Sequence, residues 1–140
     1  MTVAALYAFA QRRGHLVADM RFREAVSAAV QLPGGVCCIG IDRRRLASDA
    51  EEKVCLLHEL GHCERGAFYA RSSPVDNRAR CEEMADRWAI QKELTYARML
   101  RAMRSGCTEP YQLAEHFGVT EDLIRKAYMY YTEACGLSFD

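Results

Sequence analysis

The chain has 140 residues, equal numbers of basic and acidic side chains, and a hydrophobic fraction of 50%. This length and composition predict a single globular domain over residues 1–140 that buries its own core. A formal net charge of zero argues against a general attraction to nucleic acid or to an acidic membrane surface. No stretch approaches the roughly 18 uninterrupted apolar residues of a membrane span, so we expect no membrane partner.

The N-terminal third predicts one helix followed by a small antiparallel sheet of about three strands. Apolar residues at helical spacing predict the helix from Thr2 to Arg13, and Gly14 ends it. Three short apolar runs then predict the strands Leu16–Val17, Val26–Val30 and Val36–Ile41. Pro33, Gly34 and Gly35 form a turn between the last two.

The basic run Arg43, Arg44 and Arg45 follows, and is either a solvated loop, which we favour, or a contact for an acidic partner.

The most informative motif is His58-Glu59-Leu60-Gly61-His62. Histidines four residues apart lie on one face of a helix, so both imidazoles can bind one metal ion. Glu59 lies about 100° round the helix, where it can reach a water on the metal rather than the metal itself. Two nitrogen ligands, a general base and an open coordination position are the layout of a zinc peptidase. The alternative is a pair of surface histidines.

The residues around the motif favour a helix from Glu51 to Arg65. Ser48 can cap it, with Glu51 three residues on, as in a capping box. Gly61 is unfavourable inside a helix, and we expect that it leaves room for neighbouring backbone or for substrate. Cys55 faces the same side as His58 and can line the site; thiolate ligation is the less favoured alternative.

A third metal ligand is predicted on a second helix, from Asn77 to about Arg104, which Asp76 can cap. Glu82 and Asp86 are four residues apart, so one can bind the metal while the other holds a ligand histidine. Glu83 competes with Glu82, but it points away from Asp86 and we expect it in solvent. The single tryptophan, Trp88, is expected to anchor the core.

Tyr69 lies in the loop between the two metal-binding helices, which we place from Gly66 to Val75. A tyrosine there can donate a hydrogen bond to the oxyanion that forms when water attacks a carbonyl. A packed loop aromatic is the simpler role, and both interpretations stay open.

The C-terminal segment from Tyr111 to Ile124 has the pattern of a helix-turn-helix. Ala114, Gly118 and Ile124 fall where that motif needs a small residue, a turn glycine and an apolar residue. The second helix opens on acidic residues, which repel phosphate, so we expect no direct DNA binding. We expect this helical pair, within residues 106–140, to pack on residues 1–105 or to recognise a protein.

The chain has seven cysteines, an odd number with irregular spacing, and this predicts no disulfide framework. It contains no Cys-x-x-Cys pair, and its first residues lack the pattern of a signal peptide. We therefore expect a reduced, cytoplasmic protein in which the cysteines are mainly small buried apolar residues.

Two segments carry a family resemblance: Glu51 to Tyr69, and Glu82-x-x-Ala85-Asp86-Arg87-Trp88-Ala89. They resemble the ImmA/IrrE-type metallopeptidases, small bacterial and phage-borne proteins that are often encoded beside a helix-turn-helix repressor. The resemblance extends over roughly residues 35–131, and its central motifs are its specific part.

The resemblance implies zinc ligands at His58, His62 and Glu82, Glu59 as the catalytic base, and Asp86 as support for a ligand. It also implies an α+β metallopeptidase that cleaves a repressor and thereby releases phage or mobile-element genes. The metal is expected to be one Zn²⁺ per chain, although Mn²⁺ or Fe²⁺ also suit two histidines and a carboxylate. The alternative function is a non-catalytic regulator that binds a repressor or DNA through its C-terminal helices. In that case the metal site is structural or sensory.

In metallopeptidases of this layout, an edge strand commonly pairs with the extended backbone of the substrate. We assign that role to the strand over Val36–Ile41.

Overall fold

A computed structural model describes all 140 residues. The chain forms six α-helices and three strands, in the order α1 (Val3–Arg12), β1 (Leu16–Asp19), β2 (Ser27–Gln31), β3 (Cys37–Ile41), α2 (Asp49–Arg65), α3 (Val75–Glu93), α4 (Tyr96–Arg104), α5 (Pro110–Phe117) and α6 (Glu121–Met129). The predicted α+β class is confirmed. None of the helices combines the length and apolar character that crossing a membrane requires.

The sheet is mixed, so the prediction of a purely antiparallel sheet is wrong. The strand order is β1-β3-β2, in which β2 is antiparallel to β3 but β1 is parallel to it. The chain reverses direction twice between β1 and β3, which leaves these two strands pointing the same way. The connection from β1 to β2 packs across β3 at Gly40, where a Cβ would lie 2.5 Å from Met20 Sδ and 2.9 Å from Phe22 Cζ.

β3 is the central strand, so the assignment of the edge-strand role to Val36–Ile41 is wrong. β2 is the edge strand next to α2. The Asp42 amide donates to the Val26 carbonyl at 2.8 Å, which fixes the register of the ladder. Because hydrogen bonding alternates along an antiparallel pair, every second residue of β2 directs its backbone groups away from β3. These residues are Ser27, Ala29 and Gln31.

The arginine run forms a short 3₁₀ turn, Arg43–Arg45, that supports the β1–β2 connection. The three side chains are exposed, as a solvated loop predicts, but their guanidinium groups also bind inward. Arg45 donates to the carbonyl oxygens of Phe22 and Arg23 at 2.7 and 2.6 Å. Arg44 donates to the Asp42 carboxylate at 3.1 Å, and this bond holds the pKa of Asp42 at about 2 against the opposing effect of desolvation.

α2 is the central helix of the core. Leu56, Leu57 and Leu60 have no exposed surface and pack in one cluster with β3 and α3. Full burial of each such side chain stabilises the fold by about 1.5–3 kcal/mol. Ser48 caps the helix as predicted, since its hydroxyl accepts from the Glu51 amide at 3.2 Å. The buried Lys53 of α2 also binds α3, because its ammonium donates to Glu93 at 2.8 Å.

The helix expected from Asn77 to about Arg104 is two helices, α3 and α4. Leu94 leaves the helical conformation, and the Thr95 hydroxyl then caps α4 by accepting from the Arg98 amide at 3.2 Å. A threonine hydroxyl that satisfies a new helix start competes with continuation of the old helix. The predicted cap at Asp76 is also wrong, because α3 begins at Val75 after Pro74.

Trp88 packs against the hydrophobic cluster without being fully buried. Its ring centroid lies 6.0 Å from that of Phe9 in α1. The tryptophan therefore anchors the edge of the core rather than its centre.

The C-terminal helices α5 and α6 are joined through Gly118, which has the left-handed conformation at φ 68°. They pack on the rest of the chain, as expected for one of their two predicted roles. The hydrophobic cluster runs from Leu6 to Tyr131, so residues 1–105 and 106–140 share one core. Tyr131 adds a buried hydrogen bond to the Leu94 carbonyl at 2.7 Å.

One disulfide joins Cys37, at the start of β3, to Cys63, near the end of α2. The expectation that all cysteines stay reduced is therefore wrong for this pair. Spacing could not show it, because 26 residues separate the two cysteines and only the packing of α2 on the sheet brings them together. The other five cysteines are free.

Candidate metal centre

α2 and α3 cross at a contact between a glycine and a backbone. A Cβ on Gly61 would lie 2.5 Å from the Ala85 carbonyl oxygen and 2.9 Å from the Ala85 Cα. The expectation that Gly61 makes room for neighbouring backbone is confirmed. Ala85 lies between Glu82 and Asp86, so this contact brings both acidic side chains to the histidines of α2.

Three side chains converge on one point, and they form a group that could hold a metal ion: His58, His62 and Glu82. The two histidine Nε2 atoms are 3.2 Å apart. Glu82 Oε2 lies 2.6 Å from His58 Nε2 and 3.4 Å from His62 Nε2. The sequence motif predicted His58 and His62, and the pattern of the second helix predicted Glu82.

The outer nitrogens of both imidazoles are already bound. His62 Nδ1 lies 2.6 Å from the Ala67 carbonyl oxygen, which can only accept, so Nδ1 carries the proton and Nε2 presents a lone pair. His58 Nδ1 lies 2.8 Å from the Asp86 carboxylate, and this contact orients the ring so that Nε2 points towards His62 and Glu82. Ligand histidines of metal sites are held in this way by acceptors on their outer nitrogens.

The spacing of the three donor atoms fits a divalent ion such as zinc. Bonds of about 2.0–2.1 Å in a tetrahedral arrangement put neighbouring donor atoms about 3.3 Å apart. The separations of 3.2 and 3.4 Å meet this value, whereas the 2.6 Å contact between His58 and Glu82 must open. Glu82 is half exposed, so its carboxylate has space to move outward.

The acidic surroundings favour a positive charge at this point. Burial opposes protonation of His58, but the hydrogen bond to Asp86 and the charges of Glu59, Asp86 and Glu82 outweigh it and raise its pKa to about 9. The pKa values of Asp86 and Glu82 are lowered although burial acts in the other direction, through hydrogen bonds to His58 and Tyr69 respectively and through the histidine charges. A cation of higher charge would be stabilised by the same groups.

Asp86 also links the site to the C-terminal helices. Lys126 of α6 lies with its ammonium 3.3 Å from Asp86 Oδ2, on the oxygen that does not face His58. The chain Lys126–Asp86–His58 thus connects α6 to a candidate ligand.

Glu59 lies beside the three donor atoms without belonging to the group. It is 5% exposed, and its Oε2 accepts from the Ser27 hydroxyl of β2 at 2.6 Å. Burial raises its pKa, with the Ser27 hydrogen bond and the histidine charges acting in the opposite direction. Glu59 therefore faces the cleft between α2 and the edge strand.

Tyr69 is 40% exposed, so it is not a packed loop aromatic. Its hydroxyl donates to Glu82 Oε1 at 2.6 Å, and this bond to a carboxylate raises the pKa of Tyr69 to about 12. In this arrangement Tyr69 orients the candidate carboxylate ligand.

Glu83 and Cys55 were the other residues considered as ligands, and both lie outside the converging group. Glu83 is exposed and pairs with Arg87 at 2.6 Å, as expected for a solvated residue. Cys55 lines a cleft beside His58 and Asp86, but it is not part of the converging group, so the lining role is the one the geometry supports.

A cleft of about 660 Å³ opens over the site. Residues 25–29 form one wall, and His58, Glu59, His62 and Glu82 contribute to the other. Arg71 and Arg78 also line the cleft, and the Nε of Arg78 is buried without a hydrogen-bond partner.

Sequence reasoning missed three residues at this site. Arg78 precedes Glu82 by four residues, so helical spacing could have placed it on the same face. Ser27 and Lys126 carry no such signal, because only the packing of β2 and α6 brings them to the centre.

The chain matches no family model, and no curated protein or solved structure matches it.

Proposed function

We propose that this protein is a zinc-dependent endopeptidase. The observation that carries the proposal is the convergence of His58 Nε2, His62 Nε2 and a Glu82 oxygen beside the buried Glu59 carboxylate. A zinc ion held by these three groups would polarise a scissile carbonyl and acidify a bound water. The same three donors also suit Mn²⁺ or Fe²⁺.

Glu59 is the general base in this proposal. It accepts the proton of the attacking water and passes it to the leaving amine. Its raised pKa makes it a better base than an exposed glutamate, while the Ser27 hydroxyl holds its carboxylate towards the cleft.

The substrate binds as an extended peptide along β2. The backbone groups of Ser27, Ala29 and Gln31 have no partner in the sheet, and Ser27 and Ala29 line the cleft. A peptide that adds to this edge by hydrogen bonding passes Glu59 and the candidate ligands. Arg71 and Arg78 favour an acidic side chain on that peptide.

The resemblance to ImmA/IrrE-type metallopeptidases adds the nature of the substrate, a helix-turn-helix repressor, and a cytoplasmic setting. Direct DNA binding is a weaker proposal for this chain. α6 begins with Glu121 and Asp122, and its Lys126 is engaged by Asp86.

The decisive test uses a helix-turn-helix repressor identified by sequencing the genes beside the one for this chain. Co-expression should yield a cut repressor, with cleavage lost on addition of a chelator. Glu59→Gln should retain about one zinc per chain but lose cleavage, whereas His58→Ala should lose both.

An intact repressor that co-purifies with the zinc-loaded wild-type protein would instead support a non-catalytic regulator. Full cleavage by Glu59→Gln would remove Glu59 from the mechanism.

A further inference from the structure

A second group of metal-binding side chains lies outside the candidate metal centre. His15 follows α1, Cys37 begins β3, and Cys63 lies in the last turn of α2. The His15 ring nitrogen and the two sulfurs all lie within 4.8 Å of one another. Three separate elements of the fold therefore meet at this point.

The His15 ring also has a buried nitrogen that makes no hydrogen bond. Its Nε2 is buried and has no hydrogen-bond partner, and its side chain is 11% exposed. Glu64 Oε2 lies 3.7 Å from this nitrogen, within ion-pair distance but too far for a hydrogen bond. Glu64 is already bound by Arg13 through two hydrogen bonds, at 2.7 and 3.1 Å. A buried nitrogen without a partner normally costs free energy, which a ligand would recover.

We propose that the reduced form of the Cys37–Cys63 pair, together with His15, is a second metal site, which takes a thiol-binding ion such as zinc. Two sulfurs and one imidazole nitrogen are donors that zinc prefers, with water or a further donor in the fourth position. This donor set differs from the two nitrogens and one oxygen of the candidate metal centre.

The Cys37–Cys63 disulfide is reduced before the metal ion binds. A dithiol reductant delivers two electrons and two protons to the Cys37–Cys63 bond and closes to its own disulfide, leaving two cysteine thiols. Each thiol then releases one proton to solvent as its sulfur binds the ion, two protons in all.

Only small movements are needed for binding. Zinc–sulfur bonds of about 2.3 Å in a tetrahedral site separate the two sulfurs by about 3.8 Å, which rotation of the side chains can provide. A sulfur and a nitrogen on the same ion are about 3.6 Å apart, so His15 must move inward by no more than about 1.2 Å. The Cα atoms of the two cysteines, 5.7 Å apart, need not move far.

Both forms of the pair hold β3 and α2 together. The disulfide links β3 to α2, and the metal form adds the segment after α1 through His15. The end of α2 that carries His62 is thus fixed under both oxidising and reducing conditions.

Cobalt(II) is the probe for this site, because thiolate ligation gives it an intense near-ultraviolet charge-transfer band. The protein is reduced with dithiothreitol, desalted without oxygen and titrated with Co²⁺. The reduced wild-type chain should bind one more ion than the oxidised chain, and only the reduced chain should show the band. No difference in stoichiometry and no band would overturn the proposal.

Variants separate this site from the candidate metal centre. His58→Ala/His62→Ala removes two donors of that centre, and its reduced form should still bind one Co²⁺ with the band. Adding Cys37→Ser should abolish the band, and adding His15→Ala should weaken Co²⁺ binding at least tenfold. Cys38→Ser, which changes the neighbouring free cysteine, should leave the charge-transfer band intact. A band that survives Cys37→Ser, or is lost with Cys38→Ser, would place the thiolate elsewhere and overturn the proposal.

Discussion

Gly61 of α2 lies directly against the backbone of Ala85 in α3, with no space between them for a side-chain carbon. The contact sets the distance between the two helices at the turn that carries His62. It thereby also sets how far Glu82 and Asp86 reach towards the histidines. A residue with no side chain thus controls the geometry of the candidate metal centre.

Gly61→Ala should separate α2 from α3. The added carbon meets backbone atoms that cannot rotate away, and overpacking of this kind costs about 1–3 kcal/mol, against about 1 kcal/mol gained in helix propensity. We expect a lower melting temperature and a zinc dissociation constant raised roughly tenfold or more. Differential scanning calorimetry and a competitive zinc titration measure the two effects.

Gly118→Ala is the matched control, since it strains a left-handed glycine between α5 and α6 by about 1 kcal/mol. It should leave zinc affinity unchanged. Equal losses of zinc affinity in both variants would show that general destabilisation is the cause.

Asp86→Asn should weaken zinc binding by about 10- to 100-fold, because His58 loses a charged acceptor on its outer nitrogen. Asp122→Asn is the control. Asp122 also pairs with Lys126, at 3.5 Å, but it does not touch a histidine. Unchanged affinity in Asp86→Asn would mean that His58 is held in place without this contact.

Tyr69→Phe removes the hydroxyl that holds Glu82, so we expect a zinc dissociation constant raised up to about tenfold. Tyr111→Phe, a change at an exposed tyrosine of α5, serves as the control. If Tyr69→Phe instead lowers kcat with zinc affinity intact, the hydroxyl acts on the reacting carbonyl and not through Glu82.

Ala29→Pro should impair substrate binding more than folding. Ala29 directs its N–H away from β3, and proline is tolerated on an edge strand. The loss of one hydrogen bond to the peptide predicts a kcat/KM lowered by about 3- to 10-fold with little change in melting temperature.

Ala28→Pro tests the side of β2 that bonds to β3, because Ala28 pairs with Gly40 inside the sheet. It should lower the melting temperature clearly. Similar melting temperatures for the two proline variants would contradict the register on which this prediction depends.

The lowered pKa of Asp42 predicts that the free energy of unfolding depends on pH. Its pKa is about 2 in the folded protein, below the value of 3.8 for the free side chain. The stabilisation from its ionised form is therefore present above about pH 4 and is lost as the pH falls towards 2. Urea unfolding of Asp42→Asn should show a deficit against wild type at pH 6 that shrinks at pH 2. Asp140→Asn, at an exposed terminal position, should show no such trend.

The sequence by itself determined the local parts of this protein. His58, Glu59 and His62 belong to one helical turn, and Glu82 and Asp86 to another, so helical periodicity fixed their relative positions without any tertiary information. Ser48 as a cap and Gly118 as a turn residue were likewise predictable from backbone chemistry. The α+β class followed from the change of pattern along the chain.

Only the tertiary structure decided which elements are neighbours. It placed β3 in the centre of the sheet and β2 at the edge, and it brought Ser27, Lys126 and the Cys37–Cys63 pair to their partners. It also divided the expected long helix at Leu94. These contacts join residues far apart in the chain, and they depend on how the faces of α2 pack against the sheet and α3. Periodicity shows which face a residue occupies, but not what that face will meet.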